Sequence, residues 1–255
     1  MSPKTSTELS NMRQGGRILS DALAKVASLA TPGTSLAELN RAAEKLIKKR
    51  GARPAFKGYK GYPYATCLSL NSEVVHGLPR QYRLQEGDLL GIDIGVLYND
   101  LYVDSALTVG IGKISPENTR LLEVTYESLW KGIQLVKPGR QLGDVQATIQ
   151  RYVEGAGFTI VRDLCGHGIG RSLQEEPQIP NFGKKGTGLS LKARYTFALE
   201  PMVSFASPHT ATKPDGWTVV TLDGRNAAHF EHTVVVTRDG VEILTRRRGE
   251  RSRIP

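Results

Sequence analysis

The chain offers almost no sulfur chemistry. Two cysteines, Cys67 and Cys165, in 255 residues make no disulfide framework, and such a composition suits a reducing, cytoplasmic setting. No C-x-x-C pair occurs, which disfavours a structural zinc site built on thiolates. No H-E-x-x-H occurs, so the common helical zinc-protease motif is absent. The chain also lacks a G-x-S-x-G nucleophile elbow, and neither cysteine has an evident partner for covalent catalysis. No apolar run approaches the roughly 18 residues of a membrane span, so no membrane partner is expected. Residues 1–20 carry Glu8, Arg13 and Arg17 where a secretory signal would be apolar. No 20-residue linker or low-complexity stretch divides the chain.

What is present reads as a folded enzyme-sized domain. The residues are 39% hydrophobic and 23% charged, and the length allows a sizeable core in one large domain or two intimate halves. The net charge of +9 is unevenly spread: residues 245–255 hold five arginines and one glutamate, hence +4 of it. A tail of this kind can touch a ribosome or RNA surface, although a solvated terminus is its commoner fate. No RNA-binding motif or aromatic interleaving accompanies it, so no sequence-specific nucleic-acid partner is expected.

Helical periodicity runs from Thr5 to Leu29, with Thr5 and Glu8 spaced as a capping box. Ser35 and Glu38 repeat the device and open a second helix to about Arg50. Ser115-Pro116 predicts a third helix to about Val136, and a fourth covers Leu142–Gly155. Strands are expected at Thr66–Leu70, Tyr195–Pro201, Trp217–Leu222, Ala228–Thr237 and Val241–Thr245. Both halves therefore run helix, Pro-Gly break, helix, strands, a duplicated order rather than a repeat of letters.

The segment Gly91–Ser105 reads as two strands joined by a turn near Tyr98-Asn99-Asp100. With the turn centred on Tyr98-Asn99, Asp93 and Asp104 fall directly opposite each other on one face. Cβ atoms of such partners lie about 4.5–5.5 Å apart. Two carboxylates that close among apolar neighbours repel and lose solvation unless a cation sits between them. An ordinary solvent-facing hairpin is the simpler reading of this stretch alone, and the rest of the chain decides between the two. Glu200 and Glu231 are two more acids inside strand-like apolar sequence. His167 stands in Leu164-Cys-Gly-His-Gly-Ile-Gly170, where the glycines permit close backbone approach. Four carboxylates and one imidazole are a donor set for two divalent ions, and oxygen-rich ligation suits Mn, Fe(II), Co or Zn. Water bridging two such ions approaches neutrality in its pKa, and the chemistry implied is hydrolysis.

At these residues the chain resembles the type I methionine aminopeptidases of the pita-bread family, from about Thr5 to Thr245. The matching pieces are Tyr59-Lys-Gly-Tyr-Pro63, Asn71–Pro79, Asp93 with Asp104, Gly166-His-Gly-Ile-Gly170, Glu175-Glu-Pro177, Glu200-Pro-Met202, Asp215-Gly-Trp217 and Glu231-His-Thr233. The resemblance implies a metal-dependent aminopeptidase that removes the initiator methionine from nascent proteins, preferring a small second residue, through a metal-bridged water or hydroxide. It implies that Asp104 and Glu231 bridge two ions, that Asp93 completes one, and that His167 with Glu200 completes the other. Glu200 would also handle the proton of the attacking water, and His76 would hydrogen-bond near the scissile nitrogen. Tyr59, Tyr62, Cys67 and Trp217 would form the methionine pocket. The implied fold is α+β: a curved, mainly antiparallel sheet flanked by helices, with internal pseudo-two-fold symmetry. One domain over 1–245, a basic tail over 246–255 and a monomer are expected.

The sequence departs from the family at Gln174, where a histidine contacting the substrate carbonyl is usual. Leu173 replaces a pocket aromatic, and Phe56 occupies the pocket position before Lys57. Glutamine can donate an amide hydrogen bond but cannot become cationic, so a slower enzyme or an altered pH dependence is expected. A Pro-specific exopeptidase of this fold would need a large extra N-terminal domain. A type II methionine aminopeptidase would need an insertion between Glu200 and Glu231 for which there is no room. The remaining alternative is a catalytically impaired or dead binding module, ribosome-associated through the basic tail, and only Gln174 favours it.

Overall fold

The computed structural model describes residues 1–250; Arg251 and Arg253 of the basic tail lie outside the described residues. Two capping boxes start the first helix pair. Thr5 accepts from the Glu8 amide while the Glu8 carboxylate accepts from the Thr5 amide, opening α1 (Ser6–Leu29). Ser35 and Glu38 do the same for α2 (Leu36–Lys49). Each box satisfies two amides that the first helical turn leaves without partners. Ser115 caps α3 (Pro116–Gln134), which stops two residues short of Val136, and α4 (Leu142–Gly155) keeps its expected bounds.

Strands β1 (Arg53–Pro54), β2 (Thr66–Leu70), β3 (Glu73–Val75), β4 (Leu89–Tyr98) and β5 (Leu101–Gly110) follow the first helix pair. After the second pair come β6 (Thr159–Ile160), β7 (Gly166–Gly168), β8 (Glu175–Ile179), β9 (Thr196–Leu199) and β10 (Met202–Ser204). The chain continues through β11 (Thr210–Thr212), β12 (Val219–Thr221), β13 (Ala227–His229), β14 (His232–Val236) and β15 (Val241–Ile243). The order of helix pair then strands thus recurs in the two halves, and every described strand pairing is antiparallel. The first half builds a sheet of β1, β4, β2 and β5; the second builds the row β15-β14-β9-β7-β8. Helix α1 packs on β4 and β5, and α3 lies against α4, β10 and β13.

Two glycines stand in the middle of α1, where each costs up to about 1 kcal/mol relative to alanine. The reason at Gly16 is close approach: a Cβ there would run into the carbonyl of Leu244. The chain crosses α1 at that point, and Ser20 Oγ lies 2.9 Å from the Thr245 carbonyl. Residues 246–250 continue against the body of the protein, with the Glu250 carboxylate on Arg247 and 3.3 Å from His232 Nε2.

Two local expectations are corrected. The β4–β5 turn is centred on Asn99-Asp100, with Tyr98 paired to Leu101. Both turn residues have positive φ (46° and 59°), the backbone of a two-residue hairpin turn that Asn and Asp tolerate and Tyr does not. Asp93 therefore faces Ala106 and Asp104 faces Gly95, so the two acids are diagonal neighbours on one face rather than direct partners. The single strand expected over Ala228–Thr237 is broken at Phe230-Glu231 into β13 and β14.

Candidate metal centre and substrate pocket

Asp93 and Asp104 are set by the register of β4 and β5, with Asp93 also paired to Cys67 on β2. His167 sits on β7 opposite Ala198, at a register irregularity. Glu200 follows the last residue of β9, and its backbone carbonyl accepts from the buried Asn181 amide at 3.0 Å. Glu231 fills the break before β14. The break exists because this stretch leaves its own sheet to lie along β5. The Glu231 amide donates to the Ala106 carbonyl (2.9 Å), and Ser105 Oγ donates to the Glu231 carbonyl (2.6 Å). Thr233 Oγ1 accepts from the Asp104 amide and lies 2.7 Å from the Asp104 carbonyl. Thr108 Oγ1 bridges the amide and carbonyl of His229, each at 2.9 Å. Three hydroxyls thus tie β5 to the chain running from β13 through Glu231 into β14, where the acids meet.

The carboxyl groups cannot all be charged as they stand. One oxygen of each of Asp93, Asp104, Glu200 and Glu231 is buried with no hydrogen-bond partner. Burial pushes the Asp93 carboxyl up to about 7. Burial, followed by repulsion from the neighbouring acids, holds Asp104, Glu200 and Glu231 well above the usual carboxylate range. Burial pushes the His167 imidazole down. His167 Nδ1 lies 2.9 Å from the Gly168 carbonyl, which requires the ring proton on Nδ1. The Nε2 lone pair is therefore left facing Glu200 Oε1 at 3.6 Å. Once Glu200 is ionised, two acceptors at that distance want a cation between them. Ligand atoms of Asp104, His167 and Glu231 all lie within 4.8 Å of one another. Hard oxygens with a single imidazole fit a divalent first-row ion.

The acids open into a cavity of about 300 Å³, lined by every site and pocket residue singled out from the sequence, Phe56 and Leu173 included. His76 stands at the cavity in the left-handed region (φ 58°), a strained conformation for a residue with a Cβ. Its loop is held from two sides. Tyr62 Oη lies 3.1 Å from the Gly77 carbonyl. Buried Glu73 takes the Leu70 amide (2.8 Å), Arg80 (3.0 Å) and Lys213 (2.7 Å). Burial, with Lys60 nearby, pushes the His76 imidazole down. Tyr62 meets Trp217 edge to face, with ring centroids 5.1 Å apart. Cys67 is buried beside Asp93, and burial pushes its thiol up. At the rim, Gln174 Oε1 lies 3.3 Å from both Tyr59 Oη and Lys60 Nζ. An ammonium only donates, so the carbonyl end of the amide faces it and Nε2 is left as a donor.

Sequence reasoning missed several lining residues, among them Lys60, Asp163, Cys165, Met202 and His229. His229 is the most consequential. It is buried, its Nε2 has no partner, and it lies 3.7 Å from Glu200 Oε2. Burial, then the neighbouring His76, pushes its imidazole down to about 3. The one signal available was a histidine two residues before a candidate ligand on an apolar strand.

Comparison with known proteins gives a consistent result. The profile of metallopeptidase family M24 matches residues 10–238. Methionine aminopeptidase 1 of Bacillus subtilis (strain 168) is 47% identical over 243 residues, covering 95% of this chain and 98% of that protein. The crystal structure of methionine aminopeptidase from Thermotoga maritima superposes with a TM-score of 0.95 at 45% identity, covering 96% of this chain and 99% of that one. Prolidase from Pyrococcus furiosus shares the fold at a TM-score of 0.78 and 23% identity, and this chain spans 66% of it.

Proposed function

The chain belongs to metallopeptidase family M24, and from that premise we propose that it releases the N-terminal methionine of nascent proteins and peptides with a small second residue. It is a hydrolase of the aminopeptidase type. The observation that carries the reading is the set of four buried, unpartnered carboxyl oxygens lining one cavity, with a histidine lone pair facing that of Glu200. Two divalent ions (Co, Mn, Fe(II) or Zn) would be held there. Asp104 and Glu231 would be shared between them, Asp93 would complete one, and His167 with Glu200 the other. Bound, such ions supply Lewis acidity that acidifies water and polarises a carbonyl oxygen.

The remaining steps fall to the chain's own groups. Glu200 takes the proton of the attacking water as its oxygen bonds to the scissile carbonyl carbon. That proton passes to the departing nitrogen as the C–N bond breaks, with His76 hydrogen-bonded beside it. The Gln174 amide supplies a neutral donor for the carbonyl oxygen. Tyr59, Tyr62, Cys67 and Trp217 present aromatic faces and sulfur to the methionine side chain, contacts worth about 0.3–1.5 kcal/mol each. A single domain over 1–245 acting as a cytoplasmic monomer belongs to the same proposal. So does transient ribosome contact through the basic stretch 246–255, which its arginines support. No helix among the described residues is long and apolar enough to cross a membrane.

The test is hydrolysis of Met-Ala-Ser by metal-stripped protein titrated with Mn(II), Co(II) or Fe(II), with Leu-Ala-Ser as control. Metal-dependent release of methionine from the first peptide alone is expected. A folded, metal-loaded protein that releases none overturns the reading in favour of a binding module.

A further inference from the structure

Glu200 is flanked by two histidines, one at each oxygen. Oε1 lies 3.6 Å from His167 Nε2, and Oε2 lies 3.7 Å from His229 Nε2. The two contacts differ in kind. His167 presents a lone pair, because its proton is held by the Gly168 carbonyl. His229 Nε2 is buried without a hydrogen-bond partner, and the carboxylate oxygen facing it is Glu200 Oε2. A buried ring nitrogen left unmatched is costly, and a proton on it directed at a carboxylate removes that cost.

We propose that His229 is a positioning residue for Glu200: its Nε2–H holds Oε2, so that Oε1 alone is presented to the cation shared with His167. The inference rests on the metallopeptidase reading and adds a residue that the reading does not use. His229 is well placed for the task because its backbone cannot drift. Thr108 Oγ1 holds both its amide and its carbonyl at 2.9 Å, and β13 pairs it with Met202. The movable partner is the Glu200 side chain, which has three torsions. The present separation exceeds a hydrogen bond by about 0.5 Å, a gap of the kind that closes when a site is loaded. Without this donor Glu200 is free to turn, offering the cation both oxygens or neither, and the oxygen that receives the water's proton loses its fixed orientation.

The test compares His229→Leu, which removes the donor, with His229→Gln, whose terminal amide replaces the Nε2–H. For each variant, Mn(II) and Co(II) affinities are measured by calorimetry on stripped protein, kcat and KM on Met-Ala-Ser, and folding by thermal unfolding. His229→Leu is expected to weaken the affinity of an ion by about 10–100-fold, the range for groups that orient a ligand. Its kcat should fall by about the same factor, with KM within about twofold. His229→Gln should recover most of both. A folded His229→Leu with wild-type metal affinity and kcat overturns the proposal. Equal losses in both variants, tracking a lower unfolding temperature, also overturn it, since a merely structural role predicts no rescue by the amide. An inactive wild-type protein that still binds metal would overturn the aminopeptidase reading, while the affinity ratios would still decide the role of His229.

Discussion

His167 Nε2, its ring proton committed to the Gly168 carbonyl, faces Glu200 Oε1 across 3.6 Å, and the two become a pair of acceptors once Glu200 ionises. Neither atom is matched by protein, and the acids behind them repel one another. In such a centre, metal binding and proton loss are one event.

Loading should therefore release protons. Asp93 is held up at about 7 by burial, and Asp104, Glu200 and Glu231 are also raised. An ion that binds their charged forms must displace the protons they carry. Calorimetry of Mn(II) binding at pH 7 in buffers of different ionisation enthalpy is expected to show net proton release, with affinity falling as pH is lowered below 7. Heats independent of the buffer would refute this.

Asp93→Asn should stabilise the stripped protein while weakening its hold on metal. A carboxyl raised from 3.8 to about 7 favours folding fully below the ordinary range, and that contribution is lost as pH rises to about 7. The variant lacks this loss. Its gain in unfolding temperature over wild type should grow from pH 4 to pH 7 and level off above, at about 2–4 °C per kcal/mol. The buried histidines, whose lowered values act in the opposite sense, are common to both proteins and cancel, while Asp104, Glu200 and Glu231, which Asp93 helps to raise, relax downward in the variant and enlarge the same trend. A pH-independent difference would show that Asp93 is not the group titrating.

Gln174, with its Oε1 turned to Tyr59 and Lys60, leaves its Nε2 as a neutral donor at the cavity rim. Gln174→Ala should lower kcat by about 10²-fold, the effect of losing one oxyanion donor. Gln174→His should raise kcat near its optimum and add a pH limb near the histidine range. A histidine variant no faster at any pH would sink the prediction.

Gly166→Ala probes the close packing around the site. A Cβ there would stand 2.5 Å from the Ala198 carbonyl and 3.3 Å from Glu200 Cγ. The backbone atom cannot give way, so β7 and β9 must separate and carry His167 from Glu200. Loss of metal-dependent activity with a destabilisation of about 1–3 kcal/mol is expected, read by thermal unfolding and by Co(II) titration. Wild-type metal binding would contradict it.

The sequence by itself determined the helices, because their signals are local. Thr5 with Glu8, Ser35 with Glu38 and Ser115 with Pro116 each settle a helix start within four residues. It also singled out the acids that the fold gathers around one cavity, since acids inside apolar strands are costly without a counter-charge. Tertiary structure decided how they meet. The register of Asp93 and Asp104 depended on which residues accept positive φ at the turn, a choice between Tyr98-Asn99 and Asn99-Asp100 that apolar alternation leaves open. The break at Glu231 comes from hydroxyls of Ser105, Thr108 and Thr233 joining segments more than 100 positions apart, and no periodicity encodes such a pairing. The same long-range packing places His229 beside Glu200 and Lys60 beside Gln174. Those relationships are set by where two sheets converge, and a linear chain carries no local signal for that.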